Sequence, residues 1–160
     1  MHIPDGYLGP ATYGGLWAAM LPLWGFASRR VKQTVKTAHI PYLAMGTVFS
    51  LMAMMFVLPI PGGTTGHISG TTLVAILLGP WSAIVAVSIS LIIQVVVMGD
   101  GGITAIGANC FNIAVIGSFV GSGVYRLILS LARRGGEPSG AACAVAAAIA
   151  SYLAINVGAL

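Results

Sequence analysis

Thr71-Thr72-Leu73-Val74-Ala75-Ile76-Leu77-Leu78-Gly79-Pro80-Trp81-Ser82 is the stretch on which the fold turns. It opens an uncharged apolar run that lasts to Met98, and the run reads in two ways. It is either one tilted helix, or two shorter helices divided at Gly79-Pro80, a pair that punctuates helices because proline lacks the amide and clashes with the preceding turn. The chain has 160 residues, of which 58% are hydrophobic and 6% charged, against about 25% charged in soluble domains. Its mean hydropathy is +0.97. This is the composition of an integral membrane protein, and in such proteins cytoplasmic loops collect the cations. All seven Lys and Arg fall in two clusters, at 29–36 and 126–134. Between the clusters lie apolar runs at 41–58, 71–98 and 103–131. A single helix in 71–98 gives three crossings and puts the clusters on opposite faces. Two helices give four crossings and put every cation inside, so the two-helix reading is adopted.

The remaining segments follow from that choice. Pro10 to about Ser28 is a first apolar segment, long enough for a bilayer core of ~30 Å, and Pro22 inside it predicts a kink rather than a break. Arg29 to Lys36 is expected to be a loop. Pro41–Leu58 is rich in methionine (Met45, Met52, Met54, Met55), read as lipid-facing or core packing rather than as a soft-metal stripe. Pro59 to Gly70 reads as a loop by its Gly and Pro content. Residues 71–79 rise only ~14 Å at ~1.5 Å per residue, so this loop is expected to dip into the membrane. Irregular backbone is tolerated there only when buried in protein or lining a wet cavity. Gly99-Asp100-Gly101-Gly102 is a second loop, 103–131 a long helix, 132–138 the second basic loop, and Ser139–Leu160 the last span. The expected fold is all-α: one integral membrane domain over 1–160, six helical segments, N-terminus on the outer side. That topology places His2, Asp5, His67 and Asp100 on one face, and His39 beside the inner basic cluster.

The chemistry begins at Met1-His2-Ile3-Pro4-Asp5. A free α-amine, one peptide nitrogen and the imidazole Nδ1 of His2 can close on a metal in fused five- and six-membered rings, leaving one planar corner open. Planar nitrogen suits divalent nickel or copper better than tetrahedral zinc, and disfavours the oxygen-seeking Mg and Ca. No basic n-region and cleavage site precede the first span, and a bulky second residue disfavours removal of the initiator Met, so the amine is expected to survive on Met1. Alone, such a terminus is most often frayed. His67, on the same face, is the natural fourth donor. Asp5, Thr64, Thr65, Asp100 and Asn109 are candidates to orient an imidazole or hold the loops; an Asp-Gly-Gly turn is the plainer reading of Asp100. Cys110 and Cys143 lie in apolar segments outside any CxxC or Cys/His cluster, as buried free thiols do.

Met-His-Ile-Pro-Asp-Gly-Tyr-Leu at the start resembles the opening of the CbiM/NikM family, the substrate-binding membrane components of energy-coupling-factor nickel and cobalt transporters. Pro61–His67 (Pro-Gly-Gly-Thr-Thr-Gly-His) resembles that family's second motif, and Gly99 through Asn112 its third. The resemblance covers nearly the whole chain in order. It implies that Met1 (amine), His2 (backbone and imidazole) and His67 hold the metal in a square plane. It implies a helical membrane fold whose additional N-terminal helix delivers Met1 to the site. It also implies seven helices where six are counted here, so the chain reads as one that stops before a final helix. The implied role is the metal-binding subunit of a nickel uptake transporter in a prokaryotic cell membrane, with cobalt as the alternative cargo. No residue separates the two metals, and no organic cofactor is expected.

Other classes fit less well. The chain lacks a GxxxxGK[ST] phosphate loop, so it is not expected to be an enzyme. ATP hydrolysis would fall to the partners that the resemblance implies: a transmembrane coupling subunit and ATP-binding-cassette ATPases, with a small auxiliary membrane subunit as a further candidate. The cations flank apolar runs rather than forming a phosphate-binding face, which argues against nucleic acid. A haem redox protein would need histidines within the spans. A structural membrane scaffold that binds nothing remains the other alternative. Gly117, Gly121, Ala142 and Ala146 offer small-residue faces for packing against partner helices.

Overall fold

The computed structural model describes residues 2–35, 39–60, 64–133 and 137–158. Six helical segments account for most of them. Helix α1 runs from Pro10 to Thr34 and α2 from Ile40 to Met55. A two-stranded antiparallel hairpin follows, β1 (Val57–Ile60) and β2 (Thr64–His67). Then come α3 (Thr71–Leu78), α4 (Pro80–Met98), α5 (Ile106–Ala132) and α6 (Gly140–Gly158). The all-α expectation with six segments holds, with one short hairpin added.

The division of residues 71–98 falls where the sequence placed it. Gly79 takes φ 86° and ψ 157°, a region essentially closed to residues with a Cβ, and Pro80 occupies the first turn of α4, where its missing amide costs no intrahelical bond. Helix α1 passes through Pro22 unbroken. Among the described residues three helices, α4, α5 and α6, are long and apolar enough to cross a membrane, and α2 is apolar but shorter. On α2, Met45, Met52 and Met55 are exposed while Met54 is buried in the core. Cys110 is buried and Cys143 partly so, both as free thiols.

The core lies where α1, α4 and α5 meet, around Met20, Ile84, Val87, Leu91, Cys110 and Ala114. A smaller cluster (Val74, Ala75, Ala83, Ala86) joins α3 to α4, with Leu43 of α2 against it. Helix α6 buries Ala146, Ala150 and Ala154, one turn apart, and lies along α5. Small residues let backbones approach closely where lipid supplies no hydrophobic drive.

Three sequence expectations are corrected. The basic stretch from Arg29 is not a loop as far as Thr34, because α1 continues through it. Arg, Lys and Gln are good helix formers, and cations sit favourably at a helix C-terminus. Residues 59–67 are not irregular loop throughout: β1 and β2 pair with Val57 opposite His67 and Ile60 opposite Thr64, as β-branched residues favour, so described backbone pairs within the hairpin. Gly117, Gly121 and Ala146 face this chain itself rather than a partner helix. A Cβ on Gly117 would stand 3.2 Å from Thr71 and one on Gly121 would meet Thr72, so these glycines seat α3 against α5.

Candidate metal site

The N-terminal segment lies across the loop between α4 and α5, and each of its contacts is explicit. Asn109, 3% exposed near the start of α5, grips the Ile3 peptide from both ends: Oδ1 accepts from the Ile3 amide at 2.9 Å, and Nδ2 donates to the Ile3 carbonyl at 3.2 Å. The Gly102 amide donates to the same carbonyl at 3.0 Å. Asp5 accepts from the amides of Ile103 (3.0 Å) and Thr104 (2.9 Å) and from the Thr104 hydroxyl. These bonds, the hydroxyl's first, hold the exposed Asp5 carboxyl below its ordinary pKa. Gly102 is required by this approach, since a Cβ there would lie 2.5 Å from the Asp5 nitrogen. The Trp17 indole of α1 donates to the Thr104 carbonyl at 2.9 Å, tying the same loop to the first helix.

This clamp delivers His2 to His67. Their ring centroids are 5.0 Å apart, with planes inclined at 43°. All four ring nitrogens are buried and, among the described residues, make no hydrogen bond. His2 Nδ1 lies 3.1 Å from Oδ2 of Asp100, an ion-pair distance without the angles of a hydrogen bond. The His2 side chain is 1% exposed and that of Asp100 49%, so the carboxylate forms the wet rim of the pair. His67 ends β2, and the chain beyond it is fixed by Ser50 of α2, whose hydroxyl donates to the Ser69 carbonyl at 2.7 Å. Burial, foremost, lowers the pKa of both imidazoles, that of His67 to about 4. Both are therefore neutral near pH 7, the form that binds a metal.

Among the residues expected at the site, His2, His67, Asp100 and Asn109 come together. Asp5 acts one step away, on the loop that carries Asp100. Met1 lies outside the described residues, as do the side chains of Thr64 and Thr65, whose backbone belongs to β2. His39 is remote, at the N-terminal end of α2. Among the described residues no three His, Cys, Asp or Glu side chains gather as a metal cage, so side chains alone do not supply a full ligand set. The sequence reading missed Thr104, Trp17 and Ser50. Their signal was weak, a hydroxyl or indole in an apolar helix or beside a Gly-rich turn. Both helices that carry the site loop have π-helical turns next to it, Gln94–Met98 and Cys110–Ile116, a feature often found at functional sites.

The bundle thus combines apolar helices of membrane-spanning length with two buried imidazoles that face each other beside a carboxylate and beneath a pinned N-terminal segment. The family described as "Cobalt uptake substrate-specific transmembrane region" (CbiM) matches residues 2–160, and the chain belongs to it. It is 46% identical over its whole length to the fused nickel transport protein NikMN of Rhodobacter capsulatus, covering 45% of that protein. It is 38% identical over 82% of its length to the cobalt transport protein CbiM of Acetohalobium arabaticum, covering 53% of it. The chain thus spans about half the length of these curated relatives. A crystal structure of a truncated transition metal transporter superposes with a TM-score of 0.89 at 45% identity, over all of this chain and 71% of that one. These relatives are named as transport proteins and none as an enzyme. The chain is accordingly a helical membrane protein of a nickel and cobalt transport family.

Proposed function

We propose that the chain is the metal-binding membrane subunit of an ATP-driven nickel uptake transporter. Ni(II) is the cargo, held in a plane by the amine of Met1, the backbone nitrogen and Nδ1 of His2, and the imidazole of His67. The observation that carries this reading is the pair of facing imidazoles whose nitrogens are all buried and, among the described residues, make no hydrogen bond. Leaving such groups unsatisfied costs about 1–3 kcal/mol each, and an electron-pair acceptor between the rings relieves it at one nitrogen of each ring. A carboxylate at 3.1 Å from His2 Nδ1 offsets the charge of a bound dication. Asn109 and Gly102 fix the Ile3 peptide and with it the direction in which His2 is presented.

In this reading the unit acts in a prokaryotic cell membrane as one domain, with the metal site on the outer side. A transmembrane coupling subunit and ATP-binding-cassette ATPases supply the energy, with a small auxiliary membrane subunit as a further candidate partner. Cobalt is the second cargo, because the family description and the Acetohalobium relative both carry that metal. The decisive experiment adds one residue before Met1. Purified protein with that extension should lose stoichiometric nickel, and retention of nickel at the parent's affinity overturns the amino-terminal chelate. Metal content after growth in equal nickel and cobalt separates the two cargoes.

A further inference from the structure

Far from the metal site, helices α1, α4 and α5 carry a row of three aromatic rings. Phe26 and Trp81 meet edge to face, with centroids 4.9 Å apart and planes at 68°. Trp81 meets Phe119 in the same manner at 5.0 Å and 84°. Trp81 packs partly against the core, while Phe26 and Phe119 stay 45% and 39% exposed. Two exposed arginines lie beyond the row, toward the basic end of the bundle. The Arg30 guanidinium carbon stands 5.1 Å from the centroid of the Phe26 ring, within cation–π range. Arg126 follows Phe119 by seven residues in α5, two turns along the same face.

The polar groups of this row are unclaimed by the protein. The indoles of Trp17 and Trp24 donate to the Thr104 carbonyl and the Ser88 hydroxyl. Among the described residues the Trp81 indole makes no hydrogen bond, and its nitrogen is not one of the enclosed unpartnered atoms. Among the described residues the one ion pair joins His2 to Asp100, so no carboxylate answers Arg30 or Arg126. A guanidinium pairs well with phosphate oxygens. An indole at a membrane interface keeps its ring in the apolar layer and turns its N–H to the headgroups. Basic pockets between membrane helices are seats for anionic headgroups. An anionic phospholipid matches both halves of the row, with a phosphate for the arginines and an acyl chain for the half-exposed rings.

We propose that this row seats one anionic phospholipid, its phosphate held by Arg30 and the Trp81 indole and its acyl chain laid over Phe26 and Phe119. Arg126 borders the headgroup from the α5 side. The test melts the purified, metal-free chain in detergent with added phosphatidylglycerol, or with phosphatidylcholine of the same acyl chains. Phosphatidylglycerol should raise the melting temperature by about 5–10 °C more than phosphatidylcholine does, as a ligand of the folded state alone would. Native mass spectrometry should retain one such lipid per chain. Arg30→Gln and Trp81→Phe should each cut the difference between the lipids to less than half, while melting in phosphatidylcholine as the parent does. Lys32→Gln removes the same charge from the opposite face of α1 and should keep the difference. Equal melting of the parent in the two lipids overturns the proposal. An equal loss in Lys32→Gln and Arg30→Gln also overturns it, because attraction to the basic end would then be diffuse. So does an equal shift from inorganic phosphate alone, the mark of a free anion. Arg30→Gln and Trp81→Phe chains that keep the lipid difference but no longer assemble with partner subunits overturn it too, the row then being a protein interface.

Discussion

At the scale of single residues, Asn109 and His67 carry the sharpest expectations. Asn109 holds the peptide that follows His2 through two hydrogen bonds, so Asn109→Leu leaves that peptide without its side-chain partner while preserving bulk. Supporting residues of this kind change metal affinity by about 10- to 100-fold when removed. A loss of that size is expected for nickel in a competition titration with the purified subunit, with the helical circular dichroism unchanged. His67 governs acid stability. Its folded-state pKa of about 4 lies below the ordinary 6.5, so the unfolded chain binds the extra proton first as pH falls. Stability is then full above about pH 6.5 and declines as pH drops from there toward 4. Thermal melting of metal-free protein across that window should show the decline, and His67→Gln should flatten it. That His2 and His67 belong together was legible chiefly through the motifs that carry the family resemblance, since a Met-His start taken alone is most often a frayed terminus. Thr104 and Trp17 were not legible, because a hydroxyl and an indole acquire meaning only when a segment about ninety residues distant is laid against them.

Among the elements, the break between α3 and α4 and the hairpin before α3 had opposite fates. The break was legible because two independent constraints met at Gly79-Pro80: helix punctuation and the even number of crossings that the two basic clusters demand. The hairpin was hidden. Its Gly and Pro residues signal loop, and the β-branched residues around them make strands of four residues each, too short for periodicity to declare itself. The extension of α1 through the basic stretch was missed for a related reason, since charge marks where a helix meets water and not where it ends. Gly79 yields a prediction at this scale. Nothing lies within 4 Å of where its Cβ would be, so Gly79→Ala meets no clash and its cost is conformational alone. With φ at 86° that cost is about 1–3 kcal/mol. It should appear as a fall of several degrees in the melting temperature, with nickel affinity kept.

For the whole molecule, the polarity of the bundle makes a claim about its placement. The site sits at the N-terminal ends of α1 and α5, and the basic residues Arg29, Arg30, Lys32 and Arg133 lie at or just beyond the C-terminal ends of the same two helices. With the cations inside, the site opens outward. A cysteine at Tyr7, which is 79% exposed, should react with a membrane-impermeant thiol reagent added to intact cells. One at Ser139 should react only after the cells are opened. The reverse pattern would invert the proposed direction of metal capture. The clamp on the N-terminal segment also has a consequence in time. The bond from Ile3 to Asn109 joins residues 106 apart in the chain, so its first half is made long before its second. At a synthesis rate of about 5–20 residues per second, the leading residues wait on the order of 5–20 s for their docking place to exist. During that interval the amino terminus is an unprotected substrate for the cell's deformylating, trimming and acetylating enzymes. On the proposed amino-terminal chelate, the metal affinity of the finished subunit then depends on whether those enzymes reach Met1 before its docking place exists.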